Sequence, residues 1–204
     1  ASALHAECRG FESLTAQTAL KRVPSFVPLS GLRVTVRPFR VDEFPQVWAA
    51  SQLRRGGPGR MDSLAAKRLR HRIRRSGRFT LGMLDLAVAV DGRLIGDVQA
   101  RHPQNAMPAG VFELGIEIYD ARDHGKGYGR EALELLTSWL FERAAAERVQ
   151  AGTAIRNVAM RRVLERLGFS FEGVMRGFMA GPSGCEDYAL YGLTRSGWES
   201  TGAS

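Results

Sequence analysis

The chain has 204 residues, of which 44% are hydrophobic, and this is enough for one domain with a well-filled core. No apolar run approaches the ~20 residues of a membrane span, and the first ten residues lack the charged flank and apolar block of a secretory signal. A cytoplasmic protein without a membrane partner is therefore expected. Cys8 and Cys185 show no CxxC or Cys/His spacing, so neither a disulfide framework nor a metal site is indicated.

The formal net charge is +8, and most of it is local. Residues 54–78 carry ten cations against the single acid Asp62: Arg54, Arg55, Arg60, Lys67, Arg68, Arg70, Arg72, Arg74, Arg75 and Arg78. Two interpretations remain open, a nucleic-acid or ribosome-binding surface and a surface that attracts an acidic substrate. The segment contains no Phe, Tyr or Trp that could stack on bases, so nucleic acid is not favoured.

Residues 1–30 are interpreted as an N-terminal extension that ends in a Pro-containing linker. Its few apolar residues leave two alternatives, a mobile tail and an arm that docks on the body or on a partner. The domain itself is predicted to span residues 31–199, followed by a short tail of residues 200–204.

In the first part of the domain, residues 32–39 alternate β-branched and charged side chains and predict a strand. Asp42 then precedes a helical pattern with Pro45 in its first turn, which predicts a helix capped by Asp42. A second helix follows from Asp62 to Arg75. Its apolar residues recur at four-residue spacing under a cationic outer face: Ala65, Leu69 and Ile73.

The middle of the chain predicts a hairpin and a buried strand. Asp91-Gly92 lies between two apolar runs, which is a strong hairpin signal. Residues 111–119, VFELGIEIY, are too apolar to face water and are placed in the middle of the sheet. A glycine-rich stretch and a helix over residues 131–146 come next.

The C-terminal part predicts a short strand over residues 149–155 and a helix that begins at Asn157 and ends at Gly168. Two last strands, residues 169–180 and 187–193, are separated by the turn GPSG. Together the elements predict one mixed α/β sheet flanked by helices.

The glycine-rich stretch RDHGKGYGREALELL, residues 122–136, has three glycines directly before a helix. A helix start offers unbonded N–H groups and the positive end of the dipole, so an anion bound there gains charge and hydrogen bonds. Gly125, Gly127 and Gly129 let the backbone approach a diphosphate, and Lys126 and Arg130 add positive charge. A flexible turn with basic residues is the alternative. The spacing matches neither a P-loop nor a dinucleotide fingerprint.

Two motifs resemble one known family. Arg122-x-x-Gly125-x-Gly127 is similar to the R/Q-x-x-G-x-G/A signature of the GCN5-related N-acetyltransferases (GNAT), and it lies between a central strand and a long helix as in that family. The Asn-led helix with Gly-Phe and Glu-Gly after it, residues 157–173, is similar too. Within the family the chain resembles the ribosomal-protein alanine acetyltransferase branch (RimJ/RimL type) over residues 32–193.

The resemblance implies a single mixed, mostly antiparallel sheet of about seven strands with about four helices, in which the fourth and fifth strands splay to admit the pantetheine arm of acetyl-CoA. It implies that backbone groups of the fourth strand pair with pantetheine, and that N–H groups of residues 126–130 hold the pyrophosphate. Asn157 would point towards the cofactor, or serve as a helix cap. The implied cofactor-binding residues are Ile118, Tyr119, Arg122, Gly125, Lys126, Gly127, Tyr128, Gly129, Arg130 and Asn157.

Acyl transfer to an amine needs a base, and the central strand offers carboxylates. Alternation places Glu113, Gly115, Glu117 and Tyr119 on one face of this strand. The resemblance favours Glu113 as the base over Glu117, and the alternative is that one of them only pairs with an arginine. A tyrosine common in the family as proton donor is replaced by Leu164, so solvent, Tyr119 or Tyr191 remain as candidate acids.

The acceptor is expected to be a primary amine, and the sequence leaves its class open: a protein or peptide N-terminus, an aminoglycoside-like amine or an amino acid. Succinyl-CoA or another acyl-CoA is the alternative donor, and a homodimer is compatible with the sequence. The residues assigned to the acceptor are Arg54, Arg55 and Tyr191.

Overall fold

The computed structural model describes residues 23–54, 63–102, 108–181 and 184–202, and these form one eight-stranded sheet in the order β1-β2-β3-β4-β5-β6-β8-β7. The strands are β1 (Leu29–Ser30), β2 (Thr35–Arg37), β3 (Met83–Val90), β4 (Arg93–Arg101), β5 (Val111–Ile118), β6 (Arg148–Ala154), β7 (Ser170–Gly181) and β8 (Gly184–Thr194). The helices are α1 (Phe44–Arg54), α2 (Ser63–Arg74), α3 (Tyr128–Arg143), α4 (Val158–Arg166) and α5 (Arg195–Ser200). The predicted class of one mixed sheet with flanking helices is confirmed.

The sheet opens between its two central strands. Every neighbouring pair is antiparallel except β5 and β6, which run parallel and pair only through Val111–Glu113 and residues 148–150. From Leu114 onward, the described part of β5 pairs with β4, and the rest of β6 pairs with β8. The splayed strands that the resemblance implied are therefore present, and the opening begins at Leu114.

The two faces of the sheet are covered by different helices. The larger core lies under α3, α4 and α5, and α3 contributes fully buried leucines: Leu133, Leu136 and Leu140. The smaller cluster lies under α1 and α2, where Leu69 and Ile73 pack against Ala87 of β3. Each strand therefore presents one face to each layer of helices. In β5, Phe112 and Leu114 face the larger core, and Glu113 and Glu117 lie on the other face.

The hairpin prediction is confirmed in detail. Asp91 and Gly92 join β3 to β4, and both have positive φ, 49° and 78°. Two successive residues in the left-handed region form the turn whose twist matches the flanking strands. The predicted alternation in β5 is also confirmed, because Phe112 and Leu114 are buried in the larger core.

The sheet has eight strands, whereas about seven were expected from the sequence. The additional strand is β1, which pairs with β2. Phe26, just before β1, is buried against Trp139, with the two ring centroids 5.0 Å apart. Residues 26–30 thus dock on the body, whereas residues 1–22 lie outside the described residues. Arg55 and the rest of residues 55–62 also lie outside them, as do Pro182 and Ser183 of the predicted GPSG turn.

Asp42 is not the cap of α1, because it lies inside a short 3-10 turn, Val41–Glu43. Glu43 fixes this turn instead, since its carboxylate accepts the N–H of Arg40 at 2.8 Å. In α2, the buried stripe is completed by Ala66 in place of the predicted Ala65. Among the described residues, no helix has the length and apolar character to cross a membrane.

Candidate functional site

The start of α3 presents unbonded backbone N–H groups. Gly127 is the N-cap with a φ of 82°, and Gly125 also has a positive φ of 70°. The first intrahelical hydrogen bond runs from the N–H of Glu131 to the carbonyl of Gly127 (3.1 Å), so residues 128–130 have no acceptor within the helix. Because Gly127 has no side chain to cap them, these groups and the positive dipole end remain available to an anion.

Arg33 braces this loop from the other end of the sequence. Its Nη1 donates to the carbonyl of Lys126 (2.7 Å), its Nε donates to Glu131 (3.2 Å), and its guanidinium carbon lies 5.6 Å from the ring centroid of Tyr128. Arg33 was not among the predicted site residues, because a charged residue in a predicted strand is typical of a solvent-exposed surface. It fixes the loop at the helix start.

Glu131, in the first turn of α3, holds the helix against the first strands. Its Oε1 accepts the N–H groups of Arg33 (2.7 Å) and Val34 (3.0 Å), and its side chain is 12% exposed. Burial alone would raise the pKa of Glu131, but these hydrogen bonds and the Arg33 guanidinium outweigh it and lower the pKa below its usual value. The carboxylate is therefore a charged, structural anchor of the helix start.

A second anchor ties the glycine stretch to β4. Asp123 accepts two hydrogen bonds from Arg93, each 2.9 Å long, and lies 4.0 Å from Nζ of Lys126. The hydrogen bond from Arg93 lowers the pKa of Asp123. The loop is thus held from both sides before any ligand binds, which limits the ordering that binding must impose.

The anchored loop forms one wall of a cavity of about 660 Å³ that reaches α4 and β5. The predicted residues that line it are Ile118, Gly125, Lys126, Gly127, Tyr128, Gly129, Arg130 and Asn157. Arg33 and Ile116 line it as well. Arg122 is not among the lining residues, and its guanidinium is paired with Asp120 at 2.6 Å.

Tyr119 was predicted to bind the cofactor through its backbone, but its backbone N–H is directed to β4 instead. Its N–H donates to the carbonyl of Ile95 on the β4 side (2.9 Å), and its hydroxyl donates to Asp97 (2.7 Å). Successive residues of a strand direct their backbone groups to opposite sides, so Ile118 and Ile116 direct theirs towards the opening. Ile116 is two residues before Ile118, so its backbone groups are directed to the same side of the strand. Ile116 could therefore have been predicted from Ile118.

Asn157 has the geometry of both roles that the sequence left open. Its side chain accepts the N–H of Met160 at 3.2 Å, which makes it the cap of α4. It also lines the same cavity as the glycine stretch. The Asn157 cap brings a second helix start to the cavity.

A family model described as "Acetyltransferase (GNAT) domain" matches residues 33–170 of this chain. The chain belongs to the GNAT acetyltransferase family. The predicted family and fold are confirmed, and the donor of this family is acetyl-CoA. Residues 33–170 include the anchored loop, the opening and the Asn157 cap.

Among individual proteins, the probable N-acetyltransferase YjcK of Bacillus subtilis is 34% identical over 90 residues, which is 43% of this chain; the chain spans about half (48%) of that relative's length. The ribosomal-protein-S5-alanine acetyltransferase from Vibrio fischeri has 22% identity, a TM-score of 0.66 and coverage of 84% of this chain and 98% of its own. RimJ of Mycobacterium smegmatis, solved with CoA-disulfide, has 19% identity, a TM-score of 0.62 and coverage of 89% and 94%. At these identities the two structures show the fold.

The opposite face of β5 in this GNAT domain carries the predicted carboxylates. Glu113 is the last residue of β5 that pairs with β6, and its Oε1 lies 2.6 Å from Nη2 of Arg101 on β4. Glu117 is in register with Asp97 of β4. The arginine pair that the sequence analysis gave as the alternative is therefore present at Glu113, directly beside the opening.

Beneath α2, the same face of the GNAT sheet holds a buried polar network that the sequence did not reveal. Arg72 reaches Asp85 (Nε to Oδ1, 2.8 Å) and the fully buried Asp97 (Nη2 to Oδ1, 3.5 Å), and Asp97 accepts the hydroxyl of Tyr119. Burial raises the pKa of Asp85, with Arg72 opposing the shift, and burial and Asp97 raise the pKa of Tyr119. Arg72, predicted on the outer cationic face, points inward.

The prediction for Tyr191 is corrected. Tyr191 is fully buried, its hydroxyl donates to Glu165 (2.9 Å) and accepts from Nε of Arg161 (3.2 Å), so it is neither an acceptor contact nor an accessible acid. Leu164, at the position of the family's tyrosine, is also fully buried. Both side chains belong to the packing between α4 and the sheet.

Proposed function

We propose that this chain transfers the acetyl group of acetyl-CoA to a primary amine by direct attack of the amine on the thioester. The observation that carries the proposal is the opening between β5 and β6, which begins at Leu114 beside the uncapped start of α3. The N–H groups of residues 128–130, with Lys126 and Arg130, suit the pyrophosphate. The backbone groups of Ile116 and the N–H of Ile118 suit the amides of the pantetheine arm, while the carbonyl of Ile118 lies 2.9 Å from Nε2 of His124.

The thioester supplies an activated acyl carbon, and the protein must supply an uncharged amine. An α-amine with a pKa near ~7.8 costs about 1 kcal/mol to present neutral at pH 7, whereas a lysine near ~10.4 costs over 4 kcal/mol. Of these two acceptors, an N-terminal α-amine therefore has the lower free-energy cost of deprotonation at pH 7. This favours the protein N-terminal branch of the family that the sequence motifs resemble.

We assign the role of base to Glu113, with Glu117 as the second candidate. Glu113 is where β5 and β6 separate, so a group on the opposite face there is adjacent to the opening. The ion pair with Arg101 orients its carboxylate, and a carboxylate held there can accept the proton of the amine directly or through water. Glu117 lies four residues further along β5, which is two positions along the same face.

The proton for the departing thiol comes from solvent in this proposal. Leu164 has no proton to give, and Tyr191 is buried under α4. The Tyr119 hydroxyl already donates to Asp97, and its raised pKa means that it holds its own proton firmly.

The experiment is a steady-state comparison of the wild type, Glu113→Gln and Glu117→Gln with acetyl-CoA and a panel of amines. For Glu113→Gln we expect kcat to fall about a hundredfold at neutral pH, with the affinity for CoA unchanged, because general base catalysis typically contributes about 10²–10⁴-fold. Glu117→Gln tests the second candidate for the base in the same assays. An unchanged kcat and pH profile for Glu113→Gln would remove it from the role. Succinyl-CoA in the same panel tests the alternative donor.

A further inference from the structure

The second large cavity, of about 550 Å³, lies on the opposite layer of the molecule from the first, between α2 and the start of β3. Its lining includes Asp85 and several cations: Lys67, Arg68, Arg72, Arg75 and Arg78. Arg72 is paired with Asp85. The other four have no carboxylate partner within residues 23–54, 63–102, 108–181 and 184–202, so the cavity is strongly positive.

Strand register places this cavity beside the opening of the sheet. Asp85 of β3 pairs with Gln99 of β4, which pairs with Gly115 of β5. Residues paired directly across strands share a face, so all three lie on the face away from α3. Two strand spacings separate Asp85 from Gly115, about 10 Å, which an extended chain spans with about three residues. Gly115 itself is one residue past the point where β5 and β6 begin to separate.

The cavity also has an apolar character that a simple ion site lacks. Leu81 is 92% exposed and Leu64 is 51% exposed, and both line it together with Met83. Leucines at such exposure beside four cations favour an occupant that has apolar side chains as well as negative charge. A peptide satisfies both requirements, and its length can extend from the cavity to Gly115.

We propose that the acceptor is an acidic peptide segment with a free α-amine, whose amino group lies at the opening near Gly115 and whose acidic side chains contact Lys67, Arg68, Arg75 and Arg78. The inference rests on the proposed transferase function and specifies its substrate class. The register distance predicts that acids matter most at about the third to fifth residue of the peptide.

The first experiment compares three decapeptides with free N-termini and identical first residues. One has acids at positions 3–5, one has the corresponding amides, and one has the same acids moved to positions 8–10. We expect kcat/KM for the first to exceed both others by at least about tenfold at low salt, since each exposed charge pair contributes up to about fivefold. The preference should shrink as NaCl rises from about 0.05 to about 0.5 M. Equal kcat/KM for the three peptides overturns the proposal.

The second experiment reverses charge on the protein. Arg75→Glu/Arg78→Glu should abolish or invert the preference for acids at positions 3–5 and leave the affinity for CoA unchanged. Arg143→Glu is the matched control, because Arg143 is an exposed arginine at the end of α3 that lines neither cavity, and it should retain the preference. If the double variant keeps the wild-type preference for acids at positions 3–5, Arg75 and Arg78 do not contact the peptide, and the proposal is overturned.

Binding of the same peptides, labelled at the C-terminus and followed by fluorescence anisotropy, separates this proposal from the transferase proposal. If none of the peptides is acetylated, the transferase proposal fails for peptide acceptors, while the ratio of their dissociation constants still decides the cavity. A single-stranded oligonucleotide is the competing polyanion. Tight oligonucleotide binding that Arg75→Glu/Arg78→Glu removes, with no difference between the peptides, would assign the cations to nucleic acid and overturn the acidic-peptide proposal.

Discussion

Replacing Gly127 by alanine tests whether the backbone conformation at the start of α3 serves a ligand. Gly127 has a φ of 82°, a conformation that costs an alanine about 1–2 kcal/mol. The added Cβ would lie 3.0 Å from Nη2 of Arg33, so that side chain must shift by a few tenths of an ångström. Loss of its hydrogen bond to Lys126 would add about 1 kcal/mol.

The sum is a destabilisation of about 2–3 kcal/mol, which lowers the melting temperature by roughly 4–12 °C for a domain of this size. We also expect the affinity for CoA to fall about tenfold, because a displaced helix start loses one charge-assisted interaction with the pyrophosphate. Thermal unfolding measures the first effect, and titration calorimetry with CoA measures the second.

Gly92→Ala is the matched control. Gly92 has a φ of 78° in the hairpin turn, and an added Cβ there would have no atom within 4 Å. Its alanine variant should lose about 1–2 kcal/mol of stability with an unchanged affinity for CoA. If both variants lose affinity equally, or if Gly127→Ala binds CoA as tightly as the wild type, the loop is not the pyrophosphate site.

Three further variants test the contribution of buried hydrogen bonds around the site to stability. Glu131→Gln should lose about 1–3 kcal/mol of stability at pH 7. Because the folded-state pKa of Glu131 is lowered, this contribution is present above the unfolded pKa and is lost as the pH falls through the folded one. The difference between the two proteins in urea unfolding should therefore shrink as the pH is lowered below about 4.3. Tyr119→Phe should cost about 1–3 kcal/mol, since the fully buried Asp97 loses its donor, and a midpoint of urea unfolding equal to that of the wild type would contradict this. Tyr191→Phe should cost about 1 kcal/mol through the lost bond to Glu165 while kcat stays unchanged; a large fall in kcat would return Tyr191 to the chemistry.

Local patterns predicted the parts of the site that depend on nearby residues. Alternation in residues 111–119 separated the carboxylates of β5 from the core side chains, because side chains in a strand alternate whatever the surrounding fold is. The glycines at 125, 127 and 129 predicted a loop of permissive backbone next to a helix start, and Gly125 and Gly127 have positive φ. Asp91-Gly92 predicted the hairpin for the same reason.

The remaining features depend on contacts between distant parts of the chain. Arg33 and Glu131 are 98 positions apart, and no local pattern links them. Arg72 looked like part of a solvated face until the fold brought Asp85 and Asp97 beneath α2. Tyr191 resembled an available hydroxyl, but α4 covers it and supplies Glu165 as its partner. Burial and ion pairing of this kind follow from tertiary packing, and the periodicity of the sequence does not predict them.

Binding of the coenzyme A pyrophosphate at the start of α3 is tested by a crystal structure of the protein with CoA, at a concentration that calorimetry shows to be saturating. We expect pyrophosphate oxygens within hydrogen-bond distance of the N–H groups of residues 128–130, and the pantetheine arm between β5 and β6. Pyrophosphate bound elsewhere, or no heat of binding with CoA or acetyl-CoA, would contradict it.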